Sequence, residues 1–403
     1  MILSHKIQLQ PNKEQQNQLA KACGCARFTY NWGLSKWTKM YESWKSDNNL
    51  PKPNANLIKK EFNKIKEAEF PWIYESPKDA NQQAFAYLGA AFSSFFNKIT
   101  NYPKFKKRGN RDTFYISNDK FSISDTHIRL PLIGKIRITE KLRFEGKINS
   151  CVISRKADKW YASISVDVGS YQKPRISDNK IGIDFGLTTL VTDNQGNEIH
   201  SPMPLKSNLS KLARYQRKLS RRQKGSKNRD KQRLKVAKLH LRISNIRHDF
   251  THKLTTQLCS ENQAIIIEDL SVKSWMKKYG KSTTDTCIGK VIRQLSYKKD
   301  IYDNILHKVN KWYPSTKTCS SCGHVKAEMP VEERTYKCEI CGFTLNRDYN
   351  AAINIYTAGL AEINDCGHQT SEFDSNINNK SDGRNSNLDI VNKSGKIYSL
   401  IHT

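Results

Sequence analysis

Two Cys-x-x-Cys pairs constrain this chain more than any other feature. Cys319 and Cys322 lie in KTCSSCGHV, and Cys338 and Cys341 in YKCEICG. A glycine follows each pair, Gly323 and Gly342, so the backbone can turn and aim both sulfurs at one centre. This is the spacing of a tetrahedral zinc site. Four thiolates leave no open coordination position, so one Zn²⁺ there is structural and not a catalyst. His324 adjoins the second cysteine but is not needed as a ligand. The expected task of the knuckle is to brace the adjoining segment FTLNRDYNAAIN, in which Asp348 opens an apolar helical pattern. The other cysteines, Cys23, Cys25, Cys151, Cys259, Cys287 and Cys366, are scattered and suggest no disulfide framework. That pattern fits a reducing cytosol.

Charge narrows the partners. Lys plus Arg number 68 against 38 Asp plus Glu, a formal charge of +30. Such an excess favours polyanions through phosphate contact and counterion release. A merely solvated basic surface would mix in acids. Residues 206–247 contain Asp230 as their sole acidic residue. Leucines at 205, 209, 212 and 219, then Leu239, Ile243, Ile246, Phe250, Leu254 and Leu258, recur at helical spacing around the turn KGSKN. We read a helical hairpin, 205–260, with one packed face and the others offering cations to a nucleic-acid backbone. The expected contacts are Arg214, Arg217, Lys218, Arg221, Arg222, Lys224, Lys227 and Arg229. Lys104, Lys106, Lys107 and Arg108, in the aromatic-interleaved connector YPKFKKRGNRDTFYI, are expected to do the same.

Patterning divides the chain as an α+β multidomain protein. Residues 1–10 alternate as a strand, and Pro11 ends it. Residues 11–101 read as helices, the last starting with Ser76 as N-cap and Pro77 at its first position. Short turn-punctuated strands fill 102–176, as in a small β-barrel that the first strand would join. In 177–317, KIGIDFGLTTLVTDNQGNEI reads as strand, tight turn and strand, QAIIIEDL as a buried parallel strand, and residues 290–311 as a helix. The zinc knuckle takes 318–343, and an apolar helix 344–362. The tail 363–403 is polar, lacks periodicity, and is expected to be disordered. Nothing at the N-terminus looks like a signal peptide, and no apolar run is long enough for a membrane span. The expected location is the cytoplasm of a prokaryote, with the nucleoid.

Three carboxylates stand beside apolar elements: Asp184 in IGIDFG, Glu268 in IIIED and Asp348 in NRDYNAA. Each has an ordinary explanation alone, as a turn residue, a helix cap or an N-cap. Together, on strand, strand and helix, they suit convergence on divalent cations. Two Mg²⁺ ions held by carboxylates activate water and stabilise a leaving phosphodiester oxygen. An RNase H-like, RuvC-type nuclease has this order.

The motifs GIDFGLTTL, IIIEDLSVKSW, KWYPSTKTCSSCGHV and YKCEICGFTLNRDYNAAINI, with the basic hairpin between them, resemble the transposon-encoded TnpB (OrfB) nucleases, relatives of the miniature type V CRISPR effectors. FTYNWGLSKW and YPKFKKRGNRDTFYI look like that family too, so the resemblance spans all but the tail. It implies an RNA-guided DNA endonuclease: a wedge-like β-barrel with an inserted helical recognition domain, then a RuvC domain carrying an inserted zinc ribbon. It implies that Asp184, Glu268 and Asp348 are the metal-binding catalytic triad, and that Lys78 and Gln82 read a short flanking motif in target DNA. The implied partners are a guide RNA from the transposon end, target DNA in duplex and single-stranded form, and a separate transposase encoded nearby. Residues 276–292, MKKYGKSTTDTCIGKVI, depart from the family's pattern where an active-site lid is expected.

Three other functions compete. A guided repressor that binds without cutting should have lost a triad carboxylate, and this chain keeps all three. A DNA-joining transposase would use the same metals but transfer strands. An actin-like ATPase would need glycine-rich phosphate loops after later strands, which are not found.

Overall fold

The computed structural model describes residues 1–109, 111–330, 332–369 and 397–400. These form two compact units, one of Met1–Ser170 with the strand at Ile397–Leu400, the other beginning at Tyr171.

In the first unit β1 (Ile2–Gln10) is followed by three helices, α1 (Lys13–Ser46), α2 (Ala55–Glu69) and α3 (Lys78–Phe96). Then come β2 (Thr113–Ser117), β3 (Ser122–Ile123), β4 (His127–Leu130), β5 (Gly134–Ile138), β6 (Lys147–Lys156) and β7 (Lys159–Asp167). These strands make one sheet in the order β2-β6-β7-β1-β5-β4-β3. Alternation places Ile7, Leu9, Ile116, Ile153 and Ile164 in its core. Asn12 caps α1 in a box with Gln15. The helices hold a separate aromatic core, in which Trp37 stacks on Phe92 at 4.0 Å and Phe62 meets Phe85. Ser76 does not cap α3. Its N–H closes a 3₁₀ turn over Pro71–Glu75 by bonding Ile73 O, and Pro77 is the residue before the helix.

The second unit holds β8 (Asn179–Asp184), β9 (Val191–Asp193), β10 (Glu198–Ile199), α4 (Pro204–Ser220), α5 (Lys227–Glu261), β11 (Asn262–Glu268), α6 (Val272–Thr286), α7 (Ile288–Tyr302), β12 (Ile305–Val309), β13 (Thr335–Lys337), β14 (Thr344–Asn346) and α8 (Arg347–Gln369). Its five-stranded sheet runs β10-β9-β8-β11-β12, with β8, β11 and β12 parallel and the β8–β9–β10 edge antiparallel. The apolar Ala264–Ile267 run is buried, as a strand covered on both faces requires.

Two expectations change. The helix read over 290–311 stops at Tyr302, because Asp303 takes a left-handed conformation (φ 54°) and caps it. Asn304 then bonds Cys259 O and Asn262 O through its side chain, and the chain leaves as β12 beside β11. The mixed ILHKV text carries no period that would separate it from the helix. The tail expected from 363 begins as helix, since α8 runs to Gln369. Ile397–Leu400 forms β15, parallel to β1. Residues 370–396 and 401–403 of that expectation lie outside the described residues.

Candidate active site

The parallel register sets two of the carboxylates. Ile183 pairs with Ile267, so the next residues, Asp184 and Glu268, leave adjacent strands at the same level. Glu268 in turn pairs with Val309 of β12. The carboxyl end of a parallel sheet is where α/β folds place their ligand sites.

The third carboxylate arrives on α8. This helix crosses β8 and β11 at two glycines. A Cβ on Gly182 would lie 2.7 Å from the backbone N of Tyr356, and one on Gly359 2.3 Å from Ile266 Cγ2. Without side chains at these crossings the helix lies directly on the strands. Its first turn carries Asp348. Asn346, not Asp348, is the cap: its Oδ1 accepts from the N–H groups of Asp348 (2.9 Å) and Tyr349 (3.1 Å). The carboxylate of Asp348 is therefore left for other work. Arg347 donates to its Oδ1 from Nε (3.0 Å) and Nη2 (2.9 Å). Arg334 approaches its other oxygen at 3.7 Å.

Electrostatics register the convergence. Burial, then Asp348, then Glu268, push the Asp184 carboxyl up to about 7, against Arg347 and a bond from the Phe185 backbone. Burial, with Asp269, raises Glu268 as well. Asp269 itself is held outward by Lys308 at 3.0 Å. Arg347 pairs with Asp348, but its pull on Asp184 does not outweigh burial and the two negative neighbours.

The four cysteines come together. The Sγ atoms of Cys319 and Cys341 are 3.7 Å apart, those of Cys322 and Cys338 3.6 Å. Among the described residues they are the group of potential ligands whose atoms all lie within 4.8 Å of one another; the three carboxylates are less tightly gathered. The sulfur quartet fits a tetrahedral Zn²⁺. Bonds from the backbone N–H of Cys341 and of Ile340 hold the Cys338 thiol down to about 6, while the neighbouring thiols push Cys322 up to about 12. His324 faces Glu339 instead.

The sequence reading missed how the knuckle grips α8. Asn350 and Asn354, one helical turn apart, are both buried. Asn350 donates to Thr318 O (2.7 Å) and accepts from the Ser320 N–H (3.0 Å). Asn354 donates to Ser315 O (2.8 Å) and Thr318 O (2.7 Å). From the other side Arg347 donates to Glu333 O, and its N–H to Arg334 O. Two Asn at i and i+4 beside an Asp, on an otherwise apolar helix, were the available signal.

The basic hairpin forms as α4 and α5, packed through Leu212, Leu239 and Ile243. Arg214, Arg217, Lys218, Arg221, Arg222, Lys224 and Lys227 are exposed. Arg229 is not one of them. Its Nη1 donates to Leu219 O (2.7 Å) and Arg222 O (2.8 Å), closing the hairpin by satisfying carbonyls at the end of α4. The base of the hairpin depends on Asp285, buried near the end of α6. Its oxygens accept from the N–H groups of Leu205 and Lys206 and from both Nε and Nη2 of Arg247. Helix α6, which begins the stretch where a lid is expected, is broken at Gly280, whose φ of 38° and ψ of −98° no helix contains.

In the first unit, Lys104, Lys106, Lys107 and Arg108 are exposed. Lys106 is engaged: its ammonium sits 3.8 Å from the centre of the Tyr30 ring, and Asn31 bonds both its N–H and its carbonyl. Partial desolvation of the ammonium there holds its pKa down to about 8. Lys78 is exposed on the first turn of α3. Gln82, one turn on, is half-buried and lines a cavity of about 380 Å³ with Asp79, Tyr115 and Ser117.

A "Putative RNA-guided DNA endonuclease" of Streptomyces pristinaespiralis is 34% identical over 367 residues, covering 88% of this chain and 89% of the relative. The chain belongs to the TnpB (OrfB) family. Family models described as "Probable transposase", "Cas12f1-like, TNB domain" and "Helix-turn-helix domain" match residues 163–278, 289–355 and 1–46 of this TnpB-family protein. The last segment folds here as one strand and one long helix, β1 and α1. "Putative RNA-guided DNA endonuclease InsQ" of Escherichia coli (strain K12) is 31% identical over 380 residues, 90% of this chain and 93% of that one. Among solved structures, the Cas12f1-sgRNA-target DNA complex shares the α+β fold, with a TM-score of 0.54 at 18% identity over 85% of this chain and 82% of that one. Among the described residues no helix is long and apolar enough to cross a membrane.

Proposed function

We propose that this TnpB-family protein is a guide-RNA-directed DNA endonuclease, encoded by a transposon, whose phosphodiester chemistry is carried by Asp184, Glu268 and Asp348. The observation that carries the reading is the convergence of three carboxylates from β8, β11 and α8, with Asp184 pushed up to about 7 by burial and by its two partners. That excess negative charge, which Arg347 offsets only in part, is what hard divalent cations neutralise, and the oxygen donor set suits Mg²⁺. Two such ions, when bound, supply an activated water and a counter-charge for the leaving oxygen. The chain's own residues set the stage. Asp184 and Glu268 are fixed by strand register. Asp348 is held by Arg347 until cations compete for it, and Asp269 is drawn off by Lys308. The mixed sheet with α8 across it supports an RNase H-like, RuvC-type domain.

In this reading residues 177–317 and 344–362 are the nuclease, interrupted by the zinc knuckle 318–343. The sheet containing β1 (1–10 and 102–176) is a wedge-like barrel, and 11–101 a recognition domain. Lys78 and Gln82 read the flanking motif. The exposed hairpin cations, and Lys104, Lys106, Lys107 and Arg108, hold nucleic-acid backbone. The guide comes from the transposon end, and transposition falls to a separate transposase. An intact triad speaks against a binding-only repressor, and absence of strand-transfer products would speak against a joining enzyme.

The test is to express the gene with its native downstream DNA and sequence the RNA that co-purifies. One discrete species extending past the gene's 3′ end supports a guided nuclease, and its variable end names the target. Cleavage of that target should require Mg²⁺ and vanish in Asp184→Ala. A smear of cellular RNA, or cutting by Asp184→Ala, sinks the reading.

A further inference from the structure

Trp312 is 80% exposed, more than any other large apolar side chain among the described residues. Single exposed apolar residues are ordinary on protein surfaces, so exposure alone says little. Its setting says more. Tyr313, the next residue, turns inward against Ile266, Val309 and Ile355. The turn that separates the two rings is fixed: Asn310 Oδ1 accepts from the Trp312 N–H and Asn310 O from the Tyr313 N–H, both at 2.9 Å. The chain thus holds an indole in water on a rigid turn. Lys311 places its ammonium 4.8 Å from the centre of that ring and leaves most of it uncovered.

The location is the carboxyl end of β12. Val309, which ends this strand, pairs with Glu268. Three residues of chain reach at most about 10 Å, so the Trp312 backbone lies no farther than that from Val309, the strand partner of Glu268. An open aromatic face beside a cation is the composition of single-strand nucleic-acid sites, where bases stack on rings and ammonium groups meet phosphates.

We propose that Trp312 stacks on one base of the DNA single strand that enters the carboxylate site, while Lys311 contacts a neighbouring phosphate. This rests on the nuclease reading and adds a residue that positions the scissile phosphate. It predicts a fixed distance, counted in nucleotides, between the stacked base and the cut.

The experiment uses the purified ribonucleoprotein and labelled single-stranded oligonucleotides in which one abasic position is walked along the strand. Affinity is measured by fluorescence anisotropy without Mg²⁺, and cleavage with it. Wild type should lose about tenfold in affinity at one position, the scale of one base–aromatic stack. Trp312→Ala should lose about tenfold on the intact strand and show no further loss at that position. Trp312→Phe should keep the abasic penalty, and it guards against an alanine variant that fails to fold, with zinc content as the check. Lys311→Ala should lower the slope of log affinity against log salt by about one unit. A wild type that cleaves while Trp312→Ala keeps the wild-type abasic profile overturns the stacking role and leaves the nuclease reading intact. A wild type that never cleaves with Mg²⁺ overturns the nuclease reading, and the stacking role falls with it.

Discussion

The side chain of Asn350 donates to the carbonyl of Thr318 at 2.7 Å, and so ties the helix that carries Asp348 to the residue before the first zinc-knuckle cysteine. Asn350 is fully buried, and its oxygen is also occupied, by the Ser320 N–H. The metal knuckle and the catalytic candidate are therefore one mechanical piece. A buried amide that loses its partners leaves polar groups unpaired, at about 1–3 kcal/mol.

Asn350→Ala should accordingly lower single-turnover cleavage by about tenfold or more while zinc stays bound, because second contacts that orient a site residue typically matter at that scale. Stripping the zinc should have the same effect and lower the melting temperature as well. Zinc content, measured beside the rate, separates the two. Full activity in a zinc-retaining Asn350→Ala protein would dissociate knuckle from site.

Gly182→Ala tests the helix crossing. The new methyl would lie 2.7 Å from the Tyr356 backbone, which cannot swing away as a side-chain tip would. The expected cost is about 1–3 kcal/mol, with cleavage reduced because α8, and Asp348 on it, must lift from β8. Thermal melting and cleavage rate check both. An unchanged melting temperature would mean that the helix does not rest on this glycine.

Asp184 should make the protein without Mg²⁺ less stable as pH rises. Its carboxyl keeps a proton up to about 7 when folded, whereas an unfolded Asp releases it near 3.9. Between those values the folded state binds more protons, so stability is full below about pH 4 and falls through pH 7. Asp184→Asn should remove that component, melting above wild type at pH 8 and close to it at pH 4. Added Mg²⁺ should raise the wild type at pH 8 and leave the variant unmoved. A variant that melts below wild type at pH 8 without Mg²⁺ contradicts this.

Asp285 clasps the base of the basic hairpin with four donors from Leu205, Lys206 and Arg247. Asp285→Asn keeps the shape but loses the charge and one acceptor oxygen. A buried pair broken on one side costs about 3–5 kcal/mol, and Arg247→Met combined with Asp285→Leu should recover part of it. Melting of single and double variants reads this directly. A double variant as unstable as the sum of the singles would deny the coupling.

Much of the candidate site was legible because its chemistry is written in short spacings. Two Cys-x-x-Cys pairs name their own geometry. A carboxylate at the end of an apolar run announces a strand that stops at something polar. The TnpB resemblance rested on the same words. Expectations changed where residue type and spacing do not say which backbone group a side chain or N–H will meet. Arg229 looked like its exposed neighbours, yet it closes the hairpin. Lys106 is exposed as expected, and also lies on Tyr30. Ser76 looked like a cap, yet a preceding 3₁₀ turn takes its N–H. The short strand β12 carries too few residues for its period to show.

The sequence by itself determined the family, the zinc quartet, the basic hairpin and the identity of three candidate carboxylates, because each depends on residue type at near neighbours. Only the tertiary structure decided that Asp184 and Glu268 leave their strands side by side, that α8 lies on bare glycines, and that Asn350 and Asn354 lock the knuckle to the helix. These are matters of register and close approach between segments distant in sequence. No local pattern encodes which carbonyl a buried amide will find.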